Sequence, residues 1–170
     1  MDAFHAVKTM LAVREYRPDA IPEDVVRQIL EAARLTGSSR NRQQWDFVVV
    51  RDRSTLGQLG RLASTGKFIA DAPLAIAVVT ADGPTGYIDG ARAVQDMMLA
   101  AWDAGVGSNW VGNTNTPEIK ALLNVPADKL VLTVIPFGYP KKKLGAGKKQ
   151  RKPLAEVAHL EQFGQTYPAG

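Results

Sequence analysis

Residues Leu74 to Thr80, reading LAIAVVT, are apolar almost without interruption. A half-exposed strand alternates apolar and polar residues, so a run without alternation belongs to a strand covered on both faces. It leads within about eight residues, through the turn Gly83-Pro84-Thr85-Gly86, into a long apolar helix from about Ile88 to Ala104. Gly105 ends that helix, because glycine takes the left-handed conformation without a steric penalty. A doubly covered strand tied to a long helix demands layers. The chain is therefore expected to be α+β, a three-layer α/β/α sandwich, and its 170 residues suffice for one such domain.

The remaining segments supply the other layers. Met1 to Val13 is compatible with a helix, and Arg17-Pro18-Asp19 with a turn. Pro22, Glu23 and Asp24 form a first helical turn, where a missing donor costs nothing and carboxylates suit the helix dipole. Val25, Ile29, Leu30 and Ala33 then recur at helical spacing until Gly37. Asp46 to Val50 is expected as a short buried strand. Ser54 is placed to cap a helix carrying Leu56, Leu59 and Leu62. Ser108 to Val111 and Leu130 to Phe137 are further strands, and Thr116-Pro117-Glu118 opens a short helix. About four strands in a mixed sheet result.

Several kinds of chemistry are excluded. With no cysteine there is no disulfide, thiolate metal site or cysteine nucleophile. Two histidines, His5 and His159, have no partner pattern, no Gly-x-Ser-x-Gly elbow is present, and His159 is expected on the surface. In Gly60 to Lys67 the glycines stand one residue too far apart for a phosphate-binding P-loop, and Gly105-x-Gly107 lacks the third glycine of a dinucleotide fingerprint. Asp89, Asp96 and Asp103 recur every seven residues, as on the solvated stripe of a helix. A chain without its own nucleophile, metal or acid–base pair fits one whose reactivity resides in a bound organic cofactor. No signal peptide or membrane span is visible, so the expected compartment is the cytoplasm.

The net charge of +4 is local. Seven of the 21 basic residues stand between Lys141 and Lys152 with no acidic residue among them, leaving 14 against 17 acidic ones elsewhere. That segment is an anion site or a solvated tail, and not the footprint of a nucleic-acid-binding domain.

Gly37 to Val50, reading GSSRNRQQWDFVVV, holds the densest set of hydrogen-bonding side chains. Ser38, Ser39, Asn41, Gln43 and Gln44 can ring a planar heterocycle from a loop between a helix and a strand; a plain polar connection accounts for them equally well. The segment resembles the Ser-Ser-x-Asn-x-Gln-Pro-Trp loop of the FMN-dependent nitroreductase family, with Gln44 in the proline position. Four further segments resemble that family in order. They are Ala12-Val13-Arg14-Glu15-Tyr16 with Ile21-Pro22-Glu23, Gly105 to Gly112, Ile135 to Pro140, and Lys149 to Leu154.

The resemblance implies a nitroreductase-like domain over residues 1–170, with a basic extension from about 139 to 170 wrapping a homodimer partner. It implies FMN as cofactor, NADH or NADPH as donor, and a small acceptor such as a nitroaromatic or quinone, reduced by a ping-pong route. Ser38, Ser39, Asn41 and Gln43 would flank one side of the flavin, and Trp110, Val111 and Gly112 the other, with the Gly112 backbone near N5. Lys67 would approach the pyrimidine side, and Arg14, Lys149 and Arg151 would supply cations, with Lys148 and Lys152 adding only field. No catalytic side chain and no metal are implied. Trp45 and Trp102 are core residues on this view. The sequence departs from the family at Met10, Leu11 and Ala12, where an arginine and a serine are usual, and in lacking the pair of helices that commonly covers the flavin. A flavin-binding or flavin-sequestering protein without turnover is the alternative of the same fold.

Overall fold

A computed structural model describes residues 2–142, 144 and 149–168. The elements are α1 (Ala3–Thr9), α2 (Glu23–Arg34), β1 (Trp45–Val50), α3 (Arg53–Leu62), β2 (Leu74–Ala81), α4 (Pro84–Asp103), β3 (Gly107–Ser108), α5 (Pro117–Leu122), β4 (Lys129–Gly138) and α6 (Leu154–Val157). The sheet order is β1-β2-β4-β3.

β2 lies between β1 and β4, and its pattern divides the protein into two cores. Leu74, Ile76 and Val78 pack with Ile29 and Ala33 of α2 and with Ala93, Val94 and Met97 of α4. Ala75, Ala77 and Val79 face Leu56 and Leu59 of α3, Ile69, and Ile119 of α5. Each fully buried leucine or isoleucine contributes ~1.5–3 kcal/mol relative to exposure, so both faces of this strand favour the layered state. In β4, Thr133 stands opposite Val78 but Val131 opposite Val79, so Leu132 is an extra residue at a bulge. The bulge changes which side chains face which core: Leu130 before it and Leu132 at it lie on the α2/α4 side, and Ile135 and Phe137 follow on that same side.

The expected mixed sheet is corrected. Each strand pair among the described residues is antiparallel, and the parallel pairing found is the isolated bridge Ala12–Ser108. Val50 lies opposite Ala75, so the chain leaves and re-enters the sheet at one end. α3 and the 3-10 segment Lys67–Asp71 thus form an out-and-back connection, whereas a parallel pair needs a single crossover.

Local expectations are adjusted as well. β1 is a half-buried edge strand with Asp46 exposed. The cap of α3 is Asp52, whose carboxylate accepts the Thr55 N–H at 2.8 Å, and not Ser54. α4 starts at Pro84, so the expected turn is its first turn, and Asp82 and Gly83 alone separate it from β2. Gly105 has φ 75°, as its role in ending the helix requires. Gly90 brings α4 close to the sheet: a Cβ there would lie 2.6 Å from Thr80 Cγ2. β3 ends at Ser108, three residues short of expectation. His159 is half-buried against Phe163, with ring centroids 4.5 Å apart, not on an open surface. Among the described residues no helix is long and apolar enough to cross a membrane.

Candidate functional site

The loop after α2 is preorganised by its own bonds. Ser39–Asn41 form a 3-10 turn in which the Asn41 N–H donates to Ser38 O at 3.0 Å and the Arg42 N–H to Ser39 O at 3.1 Å. The Gln43 N–H donates to Ser38 Oγ at 3.0 Å, and Gln43 Nε2 to Asn41 Oδ1 at 3.1 Å. Arg40, Asn41 and Gln43 have φ of 53°, 55° and 50°. Left-handed backbone costs a non-glycine residue about 1–2 kcal/mol, and such strain concentrates at functional sites. The loop is anchored outside itself: the Ser39 N–H donates to Asp89 Oδ2 at 2.9 Å, and the Thr36 hydroxyl bonds the Asp96 carboxylate.

Asp89 is 2% exposed, which corrects the solvated-stripe expectation. Asp96 is partly buried and Asp103 exposed, so the heptad spacing crosses from the buried side of α4 to solvent.

A second group forms where the 109–116 segment runs along β4. The Thr133 hydroxyl accepts from the Val111 N–H at 3.3 Å and donates to Val111 O at 2.9 Å. Thr114 Oγ1 donates to Val131 O at 3.1 Å, and Asn115 Oδ1 accepts the Val131 N–H at 3.1 Å. Side chains replace the ladder bonds here, which is why β3 is short. The Thr65 hydroxyl reaches Gly112 O at 3.5 Å, and Gly66 packs so tightly that a Cβ would lie 2.6 Å from Val111 Cγ1. Nothing lies within 4 Å of a Cβ built on Gly112. Lys67 opens the adjoining 3-10 segment and is exposed, as is Trp110.

Arg14 joins this group. The Val13 N–H donates to Ser108 O at 2.9 Å, and the Arg14 guanidinium stands 5.9 Å from the Phe68 ring centroid. The Tyr16 hydroxyl donates to Val13 O at 2.6 Å, and burial pushes its phenol far above the ordinary value, so it serves as a fixed donor. Arg14 borders two open cavities. One of about 180 Å³ includes Ala12, Val13 and Leu144, and one of about 340 Å³ includes Arg53, Asp71 and Lys141.

Lys149 and Arg151 form a third group. Lys149 Nζ donates to Val7 O at 2.6 Å, beside α1, and Arg151 Nη1 donates to Gln150 O at 2.9 Å. Among the described residues no bond joins either to the Ser38–Gln43 loop or to Gly112. Lys148 lies outside the described residues. Trp45 is core at 8% exposed; Trp102 is partly buried, with Nε1 donating to Thr9 Oγ1 at 3.0 Å.

Sequence reasoning missed Asp89, Thr133, Thr65 and Phe68. Asp89 was detectable, since it stands four and eight residues before the buried Ala93 and Met97 on one helix face. Thr133 carried no signal, because a threonine inside an apolar strand is ordinary.

The antiparallel sheet flanked by helices carries two sets of hydrogen-bonding groups, one on the Ser38–Gln43 loop and one along the 109–116 segment, of the kind that can orient a ligand. Residues 11–83 and 61–139 match the model of the nitroreductase family, and the chain belongs to that family. A Methanothermobacter thermautotrophicus protein named "Putative NADH dehydrogenase/NAD(P)H nitroreductase" is 32% identical over 155 residues, covering 85% of this chain and 81% of the relative. A Bacteroides thetaiotaomicron structure of the same name has TM-score 0.85 at 27% identity, covering 95% of this chain and 98% of the other. The structure titled FMN-dependent nitroreductase from Clostridium difficile has TM-score 0.84 at 26% identity, with coverages of 94% and 99%. The chain is accordingly an oxidoreductase of the nitroreductase type.

Proposed function

We propose that the chain is a homodimeric FMN-dependent NAD(P)H oxidoreductase whose flavin lies between two subunits. The observation that carries this is the separation of the donor groups. The Ser38–Gln43 loop is tied to α4, while Arg14 stands over Phe68, next to Lys67, and Thr65 bonds Gly112, so this second set collects around residues 65–68. Among the described residues no hydrogen bond joins the two groups within one chain, and a flavin shared between two copies would draw on both. Exposed apolar side chains support a second copy: Phe4 is 77% exposed, Leu35 70% and Phe163 95%.

The residues present fit FMN. Arg14, Lys149 and Arg151 offer cations for a phosphate, where charge-assisted bonds are strongest. Asn41 and Gln43 offer amides for the ring edge, and the open face of Gly112 admits close approach of a ring to the backbone. Bound FMN would supply two-electron transfer from NADH or NADPH to a small acceptor such as a nitroaromatic or quinone, in two half-reactions. The chain's task is then to hold the ring and leave one face accessible. With Asp82 and Gly83 alone between β2 and α4, no covering segment stands at that point. The protein would act in the cytoplasm as one FMN-binding unit, with residues from about 139 onward reaching the partner.

Subunit complementation tests the composite site. One variant carries Asn41→Ala and Gln43→Ala, the other Lys149→Ala and Arg151→Ala. Each homodimer has two defective sites, whereas the mixed dimer has one intact site if loop and tail come from different chains. Co-expression should restore flavin binding that neither variant shows alone. Failure to restore it, with mixed dimers demonstrated, would sink the composite site.

A further inference from the structure

The Ser38–Gln43 loop is held from behind by a residue that the flavin assignment does not use. Asp89 is 2% exposed on α4, and its carboxylate accepts the Ser39 N–H at 2.9 Å across 50 residues of sequence. An apolar side chain would be cheaper to bury at such a place, since buried polar groups cost free energy unless hydrogen-bonded. The adjacent Gly90 fixes this turn of α4 against the sheet, where a Cβ would meet Thr80 Cγ2 at 2.6 Å and Leu132 Cδ2 at 2.7 Å. Asp89 is thus presented from a rigid base.

The loop requires such a base. Three of its residues occupy left-handed backbone, with φ of 53°, 55° and 50°, and non-glycine residues stay there only when held. The bonds from Asn41, Arg42 and Gln43 back to Ser38 and Ser39 lie inside the loop. They set its shape but not its place. Its flanks are tied by Thr36 to Asp96 and by the Ala81 N–H to Gln44 O at 3.3 Å. Its middle is tied by Asp89.

We propose that Asp89 is a positioning residue, whose bond to the Ser39 N–H sets the Ser38–Gln43 loop at the height at which it meets the flavin ring. What the loop touches rests on the proposed function; the clamp does not. A carboxylate on the long helix thereby couples the packing of α4 on the sheet to the geometry of the ligand site.

The test compares wild type, Asp89→Ala and Asp89→Asn in two measurements. The first is hydrogen exchange of flavin-free protein, read on peptides spanning residues 36–44 against those of β2 and β4. The second is FMN affinity by fluorescence. In Asp89→Ala, exchange at 36–44 should rise about tenfold or more and FMN bind about tenfold or more weakly, with β2 and β4 unchanged. Asp89→Asn keeps an acceptor oxygen and should hold both readouts within about threefold of wild type. Unchanged exchange at 36–44 in Asp89→Ala overturns the clamp. Faster exchange with unchanged FMN affinity overturns the positioning role. Wild type that binds no FMN defeats the flavin assignment and the positioning role together, while exchange still decides the clamp. If Asp89→Ala does not fold, Asp89→Ser, too short to reach Ser39, replaces it in both measurements.

Discussion

Thr133→Val tests how the sheet holds the ligand side of the site. Valine nearly matches threonine in shape, so the change removes a hydroxyl and leaves no cavity. Thr133 is 0% exposed and Val111 is 1% exposed, so water does not reach the groups left behind. The hydroxyl at present serves both the Val111 N–H at 3.3 Å and Val111 O at 2.9 Å. A buried backbone group without its partner costs ~1–3 kcal/mol, and the longer of these two bonds is the weaker, so the loss should total about 2–4 kcal/mol. Thr133→Ser keeps both bonds and forfeits one methyl, at about 1 kcal/mol. Urea unfolding at fixed protein concentration, followed by tryptophan fluorescence, measures both. Because Gly112 follows Val111, FMN affinity should fall in the valine variant and hold in the serine variant. A valine variant within about 0.5 kcal/mol of wild type would refute the claim that Thr133 fixes this segment.

Replacing Lys149 and Arg151 with alanine should weaken FMN by roughly a hundredfold or more while sparing riboflavin, which lacks the phosphate, as isothermal titration would show. The Lys142→Ala variant should change little, because Lys142 is an exposed residue paired with Glu15 at 3.4 Å; an equal effect would assign the tail to bulk charge. Gly66→Ala places a methyl 2.6 Å from Val111 Cγ1 and should destabilise by about 1–3 kcal/mol in thermal unfolding; an unchanged midpoint would contradict the tight contact. The Thr55 hydroxyl and N–H hold the Asp52 carboxyl below its usual range. Its folded pKa is depressed, so its contribution is present above the unfolded value and lost as pH falls through the folded one. The stability gap between wild type and Asp52→Ala should therefore be open at pH 7 and close in acid; a gap that widens in acid would contradict the cap.

Features that depend on near neighbours were legible. The uninterrupted run Leu74 to Thr80 is a doubly covered strand, and Gly105 ends the helix before it. Thr116 caps α5, with its hydroxyl accepting the Ile119 N–H at 3.3 Å. Features set by distant packing were not. Whether strands run parallel depends on out-and-back connections such as α3 with Lys67–Asp71, which periodicity does not report. Gly83-Pro84 suits a turn and a helix start equally well, and the packing of α4 on the sheet decides between them. Asp89 repeats with Asp96 and Asp103 every seven residues, yet a seven-residue step rotates slowly around a helix and carries the first of the three into the core. The loop residues Ser38 to Gln43 were visible as chemistry, while their left-handed backbone and the clamp behind them were not.

The proposed oxidoreductase function depends on bound flavin. Purified protein reconstituted with FMN should turn yellow and elute with the flavin bound, at about one per chain as two shared sites per dimer require. Anaerobic mixing with NADH or NADPH in a stopped-flow instrument should then bleach the flavin absorbance on the timescale of turnover, ~1–1000 s⁻¹ for typical enzymes. A nitroaromatic or quinone added afterwards should restore it. Protein that stays colourless after reconstitution, or holds FMN that neither donor reduces, would contradict the proposed oxidoreductase function.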